Sequence, residues 1–560
     1  MEAGSSRKKL HVEDLGYVAA MQRYPLCAVV FGLVGAVALV CISCNNRLIL
    51  DSDVPDGSGT LSPDMAGPYS DFPAVPFIDN SGPVAIPSNI GDLFGAAESG
   101  ATSGGPCLID PEVGSLVPKN WLRLRFHWSA PSPQNVFQIR LHADNQVNDL
   151  VTYTTATQWT MPLALWNQLA AHSNDRRITI SVRGAELAGS ALKGSLAVGT
   201  TGDITIAPVD ASGTIVYWTT SGGTVLRGFK IGDETVQDVL KPSQATSGTK
   251  CIGCHSSTPD GNFVAFSQTA YADTGDPANI GLRTGDGRAA EPSYLTAAAR
   301  NLLGRIPQQL PTFSGGHYAP GDRVAISTLL LNSRYEIIWT DLEARAETQG
   351  TGWGIIARDG DANMVAAPVW SHDGRSIVYV STQSAQSGVS VSDGDLRMVP
   401  YNNRTGGTAT PLAGASDPSF NEFYPSFSSD DVFVAFSRLP NGQSSYNNAS
   451  SELFVVPAKG GTATRLAANE PPACSSQTSP GVLNSWPKWS PETQTASGRK
   501  YYWISFSSAR GGGKPQLYVG GVVVEKDGSV KTYKALYLWN QPASDGNHTA
   551  AWDVFKLIVG

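Results

Sequence analysis

Charge is scarce in this 560-residue chain, with Asp, Glu, Lys and Arg making up 16% of it. The formal net charge of −8 supplies no basic footprint, which argues against nucleic acid and against a purely electrostatic hold on an anionic membrane. Cysteine is scarce too. Of seven cysteines, only Cys107, Cys251, Cys254 and Cys474 follow residue 44, too few for a disulfide scaffold. Cys107 and Cys474 could pair in an oxidising compartment or remain as two loop thiols. The common catalytic signatures are missing: no Gly-x-Ser-x-Gly, no His-Glu-x-x-His and no phosphate loop, since Gly511 to Gly513 before Lys514 lack the spacing. No catalytic residue is assigned, and an enzymatic reading is the weaker one.

Long apolar runs are absent but for one. Leu26 to Ile42 is nearly uncharged and follows Arg7, Lys8, Lys9 and Arg23. A short apolar segment behind a basic one reads as a secretory signal rather than a membrane span. It ends Cys41-Ile42-Ser43-Cys44, which resembles a bacterial lipobox with Cys41 where leucine is usual. The resemblance implies processing before Cys44, acylation there and a membrane anchor in the cell envelope. Plain secretion and a retained span remain the alternatives. Residues 1–44 are thus read as the signal. Residues 45–106, dense in Gly, Pro, Ser, Ala and Asp, are read as a flexible tether.

What is present begins with Cys251-Ile-Gly-Cys254-His255. This is the attachment pattern of c-type haem: two thiols add to the vinyl groups and the next imidazole becomes the proximal iron ligand. The alternative is a Cys-x-x-Cys redox pair or small disulfide beside an incidental histidine. An exported chain suits the haem reading, because haem c is attached outside the cytoplasm.

Residues 107–209 alternate as strands do. In Trp121 to Trp128, Leu122, Leu124, Phe126 and Trp128 face one side while Arg123, Arg125 and His127 face the other. Phe137 to Leu141 and Ile178 to Val182 repeat the pattern. Short strands between turns suggest a β-sandwich, similar in architecture to immunoglobulin and fibronectin modules.

The remainder repeats. Pro311-Thr-Phe-Ser314, Pro368-Val-Trp-Ser371, Pro425-Ser-Phe-Ser428 and Pro487-Lys-Trp-Ser490 start at spacings of 57, 57 and 62 residues. Each precedes a polar turn and a β run. Asp260-Gly261 and Asp373-Gly374 align as turns, which puts His255 in the place of Pro368. A period of this size means propeller blades. Pro368 to Ser381 resembles the blade motif of TolB-like propellers, and the resemblance covers about Ala211 to Gly560. Five blades start at His255, Pro311, Pro368, Pro425 and Pro487. A sixth is assembled from Thr214–Leu240 and the orphan strand around His548-Thr-Ala-Ala-Trp-Asp553. The expected fold is therefore all-β: a six-bladed propeller over residues 210–560, closed by its C-terminal strand, after the sandwich.

Two functions follow from this reading. One is an envelope c-type haem lipoprotein that carries or senses electrons, meeting a redox partner or other envelope proteins through a propeller face. The other is a TolB-like protein- or glycan-binding propeller without haem. For a six-coordinate iron, His548 is the first candidate for the distal ligand and Met364 the second, with an open or water-bound site as the remaining case.

Overall fold

The computed structural model of the chain describes residues 67–271, 278–383 and 389–557. The signal segment, Cys44 and the beginning of the expected tether lie outside the described residues.

Residues 210–557 build a β-propeller. Six antiparallel sheets follow one another, and their inner strands touch in a closed cycle. These strands are Cys251–Ser257, Gln308–Thr312, Met364–Trp370, Phe420–Phe427, Ser485–Trp489 and Asn547–Asp553. The last of them comes from the C-terminus. It pairs with Thr214–Thr219, placing Ala551 against Val216 and His548 against Trp218. The ring is thereby closed by hydrogen bonds between the two ends of the repeat, which leaves no open sheet edge at the seam.

The repeated motif explains its own geometry. Its Ser or Thr hydroxyl donates to an Asp two residues on: Thr258 to Asp260 at 2.6 Å, Ser371 to Asp373 at 2.7 Å, Ser428 to Asp430 at 2.7 Å. Gly261 and Gly374 then turn the chain with φ of 72° and 79°. Trp370 is buried and donates its indole N–H to the Gly374 carbonyl at 3.0 Å. The motif proline sits in a β-bulge, where a residue without an N–H leaves no ladder bond unmade. The register skips there in each sheet, for example between Ala366 and Val369 or Ser485 and Lys488.

Residues 67–209 form a six-stranded sheet and a three-stranded sheet. A helix, Leu163–His172, interrupts the strands; the alternation read from the sequence does not show it. One core cluster joins these sheets to the propeller, uniting Trp121, Phe126 and Ile180 with Tyr217, Trp503 and Leu538. Trp539 donates to the Arg123 carbonyl at 3.0 Å across the same junction. The Cys107–Cys474 disulfide pins it covalently, closing a sequence separation of 367 residues.

Residues 67–106 are not a flexible tether. Phe77–Asp79 pairs in parallel with Leu150–Thr154. Phe72, Ile90 and Phe94 are fully buried or nearly so, and a short helix runs Ile90–Phe94. The segment's apolar residues have no period because they cover a sheet formed elsewhere, Phe72 joining one core cluster and Ile90 and Phe94 another. Composition therefore mistook an ordered coat for a linker.

Candidate functional site

The bulges form a second repeat inside the ring. Leu310, Ala367, Tyr424, Trp486 and Thr549 each precede the motif proline or its equivalent, and all have left-handed φ of 41° to 60°. Each such residue costs about 1–2 kcal/mol. Residues before proline are ordinarily extended, so the sequence signal pointed the other way. Cys254 holds the corresponding place in its strand. It is the exception, because the bulge there falls one residue earlier, between Ile252 and His255, and neither Gly253 nor Cys254 has a left-handed φ.

These six residues meet at the axis. Cys254, Leu310, Ala367, Tyr424, Trp486 and Thr549 all line a waist cavity of about 90 Å³, joined there by His255, Thr312 and Lys488. The channel widens beyond it into a mouth of about 790 Å³. Cys251, Cys254 and His548 line this mouth together with Trp218, Trp486 and Tyr446. Sequence reasoning placed the cysteines and His548; it missed the aromatic walls and Lys488.

His255 sits beside the waist. Its Nε2 donates to the Val216 carbonyl at 2.9 Å, while its buried Nδ1 makes no hydrogen bond among the described residues. Burial pushes the imidazole down to about 4; the Val216 carbonyl resists and Lys488 reinforces the shift. His548 packs against the Trp218 ring at 4.7 Å, and burial pushes it down to about 4 as well. Both imidazoles are therefore neutral near pH 7, the form that ligates metal.

Met364 is corrected. It heads its strand, paired with Thr382, and lines neither cavity. The lumen-facing place in that strand belongs to Ala367, two sheets round the ring from Cys254.

Two observations are compatible with a haem. Both thiols border one cavity within the size range of cofactor sites, and the neutral His548 borders it too. His255 holds one ring nitrogen on a carbonyl, as ligating imidazoles do, but it lines the waist and not the mouth that the thiols border. Among the described residues, no cluster of three or more His, Cys, Asp or Glu could hold a bare metal ion.

No protein-family model and no curated protein matches the sequence. Solved structures with a similar fold include hydrazine synthase of Kuenenia stuttgartiensis, at 12% identity and TM-score 0.37, covering 62% of this chain and 48% of that one. An ancestral GH74 enzyme follows at 10% identity and TM-score 0.36, covering 58% and 39%. An exo-1,5-α-L-arabinanase from a bovine ruminal metagenomic library has 10% identity and TM-score 0.26, covering 51% and 98%. The chain spans about half the length of the hydrazine synthase chain it matches. These likenesses concern fold, and their activities are those proteins' own.

Proposed function

We propose that this chain is an exported, lipid-anchored propeller of the TolB-like type that carries haem c at its channel mouth and serves as an electron carrier or redox sensor in the cell envelope. One observation carries the reading: Cys251, Cys254 and His548 border a single cavity of about 790 Å³. Each thiol would add across a vinyl double bond, forming one S–C and one C–H bond with no external oxidant. Once bound, the group supplies one-electron transfer. His255 would ligate through one nitrogen while the Val216 carbonyl holds the other. His548, which borders the same cavity as the thiols, would be a second protein ligand to the group. Trp218, Trp486 and Tyr446 wall the mouth. The Cys107–Cys474 bond supports an oxidising compartment and hence export. A redox partner or other envelope protein would approach the propeller face on which the mouth opens.

The test is expression of the full precursor in a periplasm with active haem-maturation machinery. Sharp reduced α and β bands, a mass increased by one haem, and loss of both in Cys251→Ala/Cys254→Ala are expected. His548→Ala should turn a low-spin spectrum high-spin and keep the covalent haem. A colourless protein of unmodified mass would overturn the reading. It would favour a glycan- or protein-binding propeller instead, for which the aromatic walls of the mouth, with Tyr446 48% exposed, are the supporting observation.

A further inference from the structure

Two residues beyond the left-handed place, the inner strands carry Ser256, Thr312, Val369, Ser426, Lys488 and Ala551. Five of these are small and neutral. Lys488 alone brings a charge, and it brings it into the waist. Its ammonium has no salt-bridge partner and no hydrogen bond among the described residues, whereas Lys500 and Lys534 both pair with carboxylates. The groups acting on it electrostatically are the Cys254 thiol and the Asp553 carboxyl; burial outweighs them and pushes the lysine down. Asp553 makes no ion pair with Lys488 and acts on it only through space: its Oδ1 accepts the Val554 N–H at 2.8 Å, and burial pushes its carboxyl up to about 6. Lys488 is half-buried in the channel wall, and a partly desolvated cation without a partner carries a cost.

The rest of the waist is suited to relieving that cost. Thr312 accepts a long 3.4 Å bond from the Trp370 N–H, which leaves its hydroxyl proton to donate. The wall on the Thr312 side is apolar, with Leu310, Pro311, Ala367, Pro368 and Val369, while Cys254, His255, Ser256, Tyr424 and Thr549 add polar groups elsewhere in the lining. A volume of about 90 Å³ admits roughly four heavy atoms beside protein walls, since an engineered cavity of about 150 Å³ holds benzene.

We infer that the waist of the channel binds one small oxyanion, a short-chain carboxylate or an inorganic ion of like size, with Lys488 as its charge partner and Thr312 as a second donor. The ion enters from the mouth, with which the waist shares Cys254, Trp486 and Thr549. The inference does not require haem.

Isothermal titration of the mature protein with sodium acetate and with sodium nitrate, against a chloride background, tests it. The titration is repeated on Cys251→Ala/Cys254→Ala so that the outcome is independent of haem. One site per chain is expected, weakened at least tenfold in Lys488→Met and more modestly in Thr312→Val. Lys488→Thr, which installs the residue that the strand of Thr312 already carries in this place, should fold and lose the site equally. Tighter acetate assigns the site to carboxylates; tighter or equal nitrate assigns it to inorganic oxyanions. Absence of binding in the wild type, or undiminished binding in both lysine variants, overturns the inference.

Discussion

Cys251–Ser257 and Met364–Trp370 occupy equivalent places in the ring, yet they are built differently. In one, Thr258 accepts no aromatic neighbour before it: Ser257 stands where Trp370 stands in the other. The equivalence is fixed by the turns, since Thr258 N–H reaches the Phe263 carbonyl at 3.0 Å and Ser371 N–H reaches that of Ser376 at 2.8 Å. His255 replaces Pro368, and Cys254, without a left-handed φ, replaces the left-handed Ala367. The common strand is held by an anchored indole and a strained bulge. The exceptional strand gives up both and presents a thiol and an imidazole to the axis. Both neighbouring strands keep the bulge, at Leu310 and Thr549, and one of them keeps an anchored indole, Trp552 donating to the Ser212 carbonyl at 2.8 Å, while the other has Phe313 in that place.

Three measurements sharpen that comparison, most simply by urea unfolding of the mature, disulfide-intact protein. Trp370→Ala should cost about 3–5 kcal/mol, the range for deleting a large buried aromatic, whereas Ser257→Ala should cost under about 1 kcal/mol. Equal losses would mean that the two strands are held alike.

The second contrast is Glu422 against Ile252, each two residues before the axial place. Both are fully buried, and Glu422 pairs with Arg438 at 2.8 Å. Burial pushes its carboxyl up to about 7 from 4.5, although Arg438 opposes the shift. A carboxyl raised on folding favours the folded state below its unfolded value and loses that contribution as pH rises through the folded one. The stability of the wild type relative to Glu422→Gln should therefore fall by about 3 kcal/mol between pH 4.5 and 7. A difference that stays flat across that window would break this part of the comparison.

The third effect is the smallest. Ala-to-Gly changes at 367 and at 254, the latter made from Cys254→Ala, should differ by about 1 kcal/mol in favour of 367, because only there does glycine relieve a left-handed φ. The same cost at both positions would show that the bulge of Ala367 is not strained.

The sequence carried good reason for the closing strand: an orphan motif at the C-terminus and three orphan strands after residue 210 have complementary needs. The Pro-x-aromatic-Ser units were legible because one aromatic, one hydroxyl and one Asp do the same job in sheet after sheet. The bulges were not, because proline argues for extended backbone in the residue before it and only the sheet register overrides that. Residues 67–106 were misread because isolated contacts such as those of Phe72 and Phe94 leave no period. The candidate site was half legible. Cys251, Cys254 and His548 announced themselves by motif and register, whereas Lys488 and Trp486 become conspicuous only once six strands are laid side by side and their equivalents found neutral or small.

The Cys107–Cys474 bond has a mechanical consequence. Tension entering from the N-terminal side and leaving at the C-terminus takes the covalent shortcut from residue 107 to residue 474. The chain between them, which includes Cys251, Cys254 and four of the six inner strands, is bypassed by this covalent path while the bond is intact and is loaded only through its contacts with the chain that follows. Force is instead borne by the last inner strands and by the ladder between Thr214–Thr219 and Asn547–Asp553. A chain pulled from its N-terminal side would thus yield first at the seam of the ring and last at the strand that bears the two thiols. Reduction of that one bond would put the thiol-bearing strand in line with the pull.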